Sequence, residues 1–158
     1  MYSIGENIVH PLHGAGCIDE IEERKVGGAV KQFYVLHIDK GSMTVKIPVE
    51  TCENIGVRPV VDSDYAERVI NSFRDLQIDM TQNWNKRYRE NLLKIRSGDL
   101  FEVAGVIKGL MERDSEKGLS NGERKMLRSA KQILISEIVI AQKSSYEEVE
   151  MRLNSALA

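Results

Sequence analysis

Met43-Thr44-Val45-Lys46-Ile47-Pro48-Val49 alternates cleanly, with Met43, Val45, Ile47 and Val49 on one face and Thr44 and Lys46 on the other. That period of two is the mark of a strand with one face buried. Further on the period changes. After Asp62-Ser63-Asp64, a good helix N-cap region, Tyr65, Val69, Ile70, Phe73 and Leu76 recur at helical spacing. Strands first and helices afterwards imply an α+β chain with two segregated domains.

Upstream of the alternating stretch, residues 7–10 form a short extended run closed by Pro11. His13-Gly14-Ala15-Gly16 reads as a turn, residues 17–24 as a strand, and Gly27-Gly28 as a hairpin signal. Residues 32–38 are β-branched and aromatic, and Asp39-Lys40-Gly41-Ser42 reads as a second turn. Such short strands fit a small antiparallel SH3/Tudor-like β domain, assigned to residues 1–55. The boundary falls near 50–62, around Arg58-Pro59, and residues 62–158 form an all-α bundle of about five helices. Residues 77–82 are a polar break, and a second helix spans about 83–96. A third starts at Ser97-Gly98-Asp99, where Asp99 and Glu102 have capping-box spacing. Ser120-Asn121-Gly122-Glu123 is another capping box and opens a long helix through Met126, Ala130, Ile133, Leu134 and Ile138. The last helix begins at Ser144 or Ser145.

Composition narrows the function classes. The 158 residues carry 22 Lys and Arg against 24 Asp and Glu, a net charge of −2. A free-standing, high-affinity DNA binder would carry a basic surplus, so a DNA role needs local basic patches and help from a partner. Cys17 and Cys52 are too sparse for a disulfide framework and read as two reduced, buried thiols. Met-Tyr-Ser-Ile-Gly-Glu lacks the features of a secretory leader, and no segment reaches the roughly 18 apolar residues of a membrane span. The expectation is a cytoplasmic protein with no membrane role. His10, His13 and Cys17 lack the spacing of a metal site. Gly14-Ala15-Gly16 precedes a strand and not a helix, so it is no phosphate loop. No nucleophile–base arrangement stands out. The sequence therefore predicts no metal, no cofactor and no enzyme activity.

Asn83-Trp84-Asn85-Lys86-Arg87-Tyr88-Arg89-Glu90-Asn91 holds the only tryptophan. Tyr88, Leu92 and Ile95 follow Trp84 at i+4, i+8 and i+11, which on periodicity alone places it in the core. Its place in the first helical turn, among Asn83, Asn85, Lys86 and Arg87, pulls the other way, toward a planar wedge against a base step, and leaves both readings open. Arg124, Lys125, Arg128 and Lys131 lie on the first turns of the fourth helix, with Arg124, Arg128 and Lys131 on one face. A solvated face is the ordinary reading of such charges. A helix start at Ser120 adds free N–H groups and a positive dipole end, which suit a phosphate.

Residues 83–99 resemble the central signature of the CarD/CdnL bacterial transcription regulators. Arg113-Asp114 and Gly118-Leu119-Ser120-Asn121-Gly122-Glu123-Arg124-Lys125-Met126-Leu127 resemble their second signature, and His10 to Gly16 the opening of their N-terminal domain. The resemblance runs over roughly residues 4–155. It implies that the Tudor-like domain binds the β subunit of bacterial RNA polymerase through Arg24 and Lys46. The second of these is arginine in some relatives, and lysine keeps the charge but loses the planar fork. It implies that the helical domain contacts promoter DNA at the upstream edge of the −10 element, with Trp84 as the wedge and Arg124 on the backbone. Asn83, Lys86, Arg87, Tyr88 and Lys125 complete the expected DNA-binding set. The expected protein is a monomeric, polymerase-tethered stabiliser of the open complex. The alternative is an adaptor whose helices bind a second protein.

Overall fold

The structure, a computed structural model, describes residues 1–38 and 43–157, so the turn expected at Asp39-Lys40-Gly41-Ser42 lies outside the described residues. Five strands form one antiparallel sheet in the order β4-β3-β2-β1-β5: β1 Asn7–His10, β2 Gly14–Val26, β3 Ala29–Ile38, β4 Met43–Pro48 and β5 Arg58–Pro59. Gly27 (φ 59°) and Gly28 (φ 83°) supply the two left-handed residues of a tight hairpin, so Val26 faces Ala29 directly. The β2–β3 register shifts between Ile18 and Glu20, a bulge that bends this long hairpin. The bend lets a small sheet wrap one core of Ile8, Ile18, Tyr34, Leu36, Ile38, Ile47, Cys52 and Val57. This is the SH3/Tudor-like domain that the alternating pattern predicts.

Three local readings are corrected. His13-Gly14-Ala15-Gly16 is not a turn throughout, because Gly14 already opens β2 and pairs with His10. The boundary expected around Arg58-Pro59 falls on an element of the sheet: the pair is the fifth strand, bonded to Ile8 and Val9, and a short helix α1 (Cys52–Ile55) leads into it. A proline fits there because β5 is an edge. Cys52 is buried as expected, but Cys17 is exposed.

The helical domain holds α2 Ser63–Ser72, α3 Trp84–Arg96, α4 Leu100–Glu116, α5 Asn121–Gln142 and α6 Tyr146–Leu157. Each of the first four starts at a side-chain cap: Asp62 accepts from the Tyr65 N–H, Asn83 from Lys86, Asp99 from Phe101 and Ser120 from Glu123. Residues 77–82 do break the helical pattern. Lys108, buried in α4, donates to the Arg74 and Leu76 carbonyls and so satisfies the end of the preceding segment. Val69, Phe73, Ile95, Val103, Ile107, Leu110, Leu134, Ile138 and Val149 fill one core between the helices.

The two domains meet along the second half of α5. Gly14 (φ 104°) lies so close to this helix that an added Cβ would stand 2.5 Å from Ser136 Oγ. The next residue, Ala15, donates its N–H to that oxygen at 2.9 Å. Beside it, fully buried Glu137 accepts from both Arg58 end nitrogens at 2.6 and 2.8 Å and from the Val61 N–H at 2.9 Å. Arg58 Nε also donates to the Gly98 carbonyl at 3.1 Å, so one side chain joins β5, the α3–α4 loop and α5. Burial works against the Arg58 charge, but the hydrogen bonds and charge of Glu137 outweigh it and raise its pKa above the ordinary value.

Removing one partner of a buried pair strands the other. Glu137→Ala is therefore expected to lower unfolding free energy by about 3 kcal/mol, the low end for buried pairs because Arg58 keeps some access to water. Urea denaturation of the variant against the parent measures this; a loss under 1 kcal/mol, the scale of an exposed pair, would show that the junction does not depend on it.

Candidate nucleic-acid interface

The inward stripe of α3 is Arg87, Asn91 and Ile95, at i, i+4 and i+8. Arg87, expected on a phosphate, is only 1% exposed. This is a correction with a clear cause. Arg87 Nε donates to Glu123 Oε2 at 2.9 Å, and one end nitrogen, Nη1, donates to both the Thr81 and the Gln82 carbonyl at 3.1 and 2.9 Å. Its charge is spent on holding the start of α3 against the start of α5. Burial tends to raise the Glu123 carboxyl, but the hydrogen bond and charge of Arg87, with help from Ser120, hold it below its usual value.

With Arg87 turned inward, Trp84, Tyr88 and Leu92 fall on the flank of the helix and not at its buried centre. Trp84 is 42% exposed, while Tyr88 and Leu92 are half-buried. The indole stacks on the Tyr88 ring at 5.1 Å between centroids and 17° between planes. Its Nε1 donates to Ser120 Oγ at 3.0 Å. That hydroxyl also caps α5 by accepting from the Glu123 N–H, and it donates to Glu123 Oε1. Gly122 passes beside the plate, where an added Cβ would touch the Trp84 and Tyr88 rings at 3.6 and 3.7 Å. The tryptophan is thus neither core nor loose. It is a plate fixed at one edge and along one face, with the rest open.

Cations lie on the two helices whose starts hold the plate. Lys86 and Arg89 on α3, and Arg124, Lys125 and Arg128 on α5, are exposed and form no ion pair with any described residue. Asn83 caps α3 with its side chain. The structure therefore brings Asn83, Trp84, Lys86, Tyr88, Arg124 and Lys125 to the two adjoining helix starts, and withdraws Arg87 beneath them.

Arg24 and Lys46 also come together, on the outer face of the sheet. Lys46 lies opposite Val35 and its ammonium reaches Glu22 at 2.9 Å, while Arg24 reaches the other oxygen of the same carboxylate at 3.2 Å. The Lys46 hydrogen bond is the main reason that the Glu22 carboxyl sits below its ordinary pKa. Glu22, Ser120 and Glu123 are the site residues that sequence reasoning missed. The capping box did flag Ser120 and Glu123, but only as a helix start.

A helical bundle that carries an exposed aromatic plate and is locked to a small antiparallel sheet domain defines a two-domain α+β protein. The family described as "CarD, C-terminal domain" matches residues 68–154, and "CarD-like/TRCF RID domain" matches residues 2–61. The chain belongs to the CarD-like family of transcription regulators. It is 35% identical over 150 residues to the Bacillus subtilis (strain 168) protein named "Putative transcription factor YdeB", covering 95% of this chain and 98% of that one.

The Glu123 pairing carries a pH signature. A carboxyl whose pKa is lower in the folded state adds stability above the unfolded value of 4.5, and that stability is lost as pH falls through the folded value. Glu123→Gln is thus expected to be less stable than the parent at pH 7, with the gap narrowing below pH ~4.5. Denaturation of both proteins at several pH values tests it. A gap that stays constant down to acid pH would mean that the Glu123 charge contributes nothing.

Proposed function

We propose that this protein docks on the β subunit of bacterial RNA polymerase through its sheet domain and stabilises the open promoter complex with its helical domain. The observation that carries the reading is the Trp84 plate, exposed, held by Tyr88 and Ser120, on two helices whose exposed cations form no ion pair with any described residue. Lys86, Arg124 and Lys125 hold phosphates at the upstream edge of the −10 element. The start of α5 adds a positive dipole end. Trp84 enters the minor groove at the fork and hinders the strands from re-annealing. Unstacking a base step costs on the order of a few kcal/mol. The cost is less where the duplex is already distorted, so the wedge favours the open state over the closed one. Arg87 does not touch DNA in this scheme; with Glu123 it keeps the plate from tilting.

Tethering reconciles this role with a net charge of −2. Once the sheet domain is bound, the helical domain is at high local concentration and weak DNA affinity suffices. Arg24 and Lys46 meet acidic groups of the β subunit, and the outer edge of β4 is open for strand pairing. The protein acts as a monomer and uses no cofactor. A second reading, an adaptor for another protein, draws on Leu93, which is 68% exposed on the outer side of α3. A promoter footprint with polymerase present separates the two.

Trp84→Ala is expected to fold and to co-purify with polymerase, yet to shorten open-complex lifetime roughly tenfold, the kinetic equivalent of ~1.4 kcal/mol and within the range for one base–aromatic stack. Unfolding of that variant would return Trp84 to the core. Lys46→Glu is expected to abolish co-purification with polymerase. Unchanged capture would remove Lys46 from the docking contact.

A further inference from the structure

The geometry points to a DNA-backbone track that runs from the start of α5 along Arg124 and Arg128 to His13, so that the sheet domain also touches the duplex. The inference rests on the helical domain being DNA-contacting, and extends that contact across the domain junction.

Arg124 and Arg128 lie one helical turn apart on the same side of α5, both exposed and without an ion-pair partner among the described residues. Some surface cations are engaged, as Arg24 and Lys46 hold Glu22, Lys31 holds Glu50 and Arg152 holds Glu67, while others, such as Lys94, Arg96 and Lys143, also form no ion pair with a described residue. What sets the α5 side apart is that its cations run into a groove. Where the helix passes under the sheet, a groove of about 250 Å³ opens between the domains, lined by Leu12, His13, Met43, Arg128, Ser129 and Gln132. Every polar side chain in that lining offers a hydrogen-bond donor, and none is a carboxylate. Such a lining suits an anion.

The spacing suits a polyanion and not an isolated phosphate. Ser120 to Gln132 covers roughly 18 Å of helix axis at 1.5 Å per residue. That equals about five steps of a duplex at ~3.4 Å each. Arg128 is the joint: it belongs to the basic side of α5 and also lines the groove that His13 closes from the sheet domain. Leu12 and Met43, both partly exposed, form the apolar rim against which a sugar edge would rest.

The test uses the full-length chain in a polymerase–promoter complex and the chain alone on a labelled promoter duplex, across a salt series. Arg128→Gln is expected to reduce the slope of log K against log[salt] by about one, as for loss of one phosphate contact. Lys143→Gln, at the far end of α5, is the charge-matched control and leaves the slope unchanged. A photocrosslinker in the form His13→p-benzoylphenylalanine is expected to label promoter DNA within the polymerase complex. If Arg128→Gln keeps the parental slope while Arg124→Gln and Trp84→Ala weaken binding, the duplex leaves the helix at its first turn; the track is wrong and the wedge stands. If the crosslinker labels only polymerase, the sheet domain is off the DNA and the track is likewise wrong. If none of the variants changes DNA binding, the DNA reading itself fails, and the track with it.

Discussion

Glu137 is the constraint on which the rest of the molecule depends. A carboxylate with no exposed surface in the middle of a helix is costly unless its oxygens are filled. Here they are filled by two Arg58 nitrogens and the Val61 N–H, all from the segment that leaves the sheet. The bundle therefore cannot satisfy its own core without the sheet domain. The sheet, in turn, gains its fifth strand from the residue pair that carries Arg58. Ser136, the neighbour of Glu137, completes the seam by accepting from Ala15 over a glycine that leaves room for it.

A second arginine–glutamate pair sits near the other end of the same helix. Arg87 and Glu123 fix the start of α3 to the start of α5, as Arg58 and Glu137 fix the sheet to its later turns. Between Glu123 and Glu137 the helix spans roughly 21 Å. Both carboxylates are buried, and both pair through guanidinium forks, whose planar geometry is more demanding than that of a lysine. One rigid rod thus holds the aromatic plate at one end and the sheet near the other. The plate hangs from that rod through Ser120, whose hydroxyl serves the helix cap and the indole together.

Where residues report on burial by type, the sequence is a good guide. The stripes of α4 and α5 mark apolar faces that the structure buries, and the alternation at residues 43–49 marks a face on which Ile47 is buried, Val45 and Val49 are half-buried and Met43 at the strand start is exposed. The caps at Asp62 and Ser120 act where hydrogen-bonding residues precede a helical pattern. The failures share one cause: groups whose partners are distant in sequence. Arg87 looks like any surface cation, and its stripe with Asn91 and Ile95 is too polar to register as a buried face. Arg58-Pro59 looks like a boundary, because a strand of two residues has no period and its ion-pair partner lies 79 positions away. Gly14 looks like a turn residue, since nothing local says that a helix will press on it. Trp84 was legible only in part: its exposure follows from which residue takes the buried stripe, and that is decided by Glu123 on another helix.

The seam also limits how freely this architecture can be recombined. A sheet of this type moved onto another helical bundle would carry Arg58 to a surface without a carboxylate to receive it, and the bundle left behind would keep a buried, unanswered Glu137. A bundle given a different sheet would meet a Cβ where Gly14 leaves none. The two halves fold around separate cores, yet they are not cassettes. Exchange would have to carry residues 14, 58, 136 and 137 as a set, which makes the joint, and not either domain, the unit that any chimera must preserve.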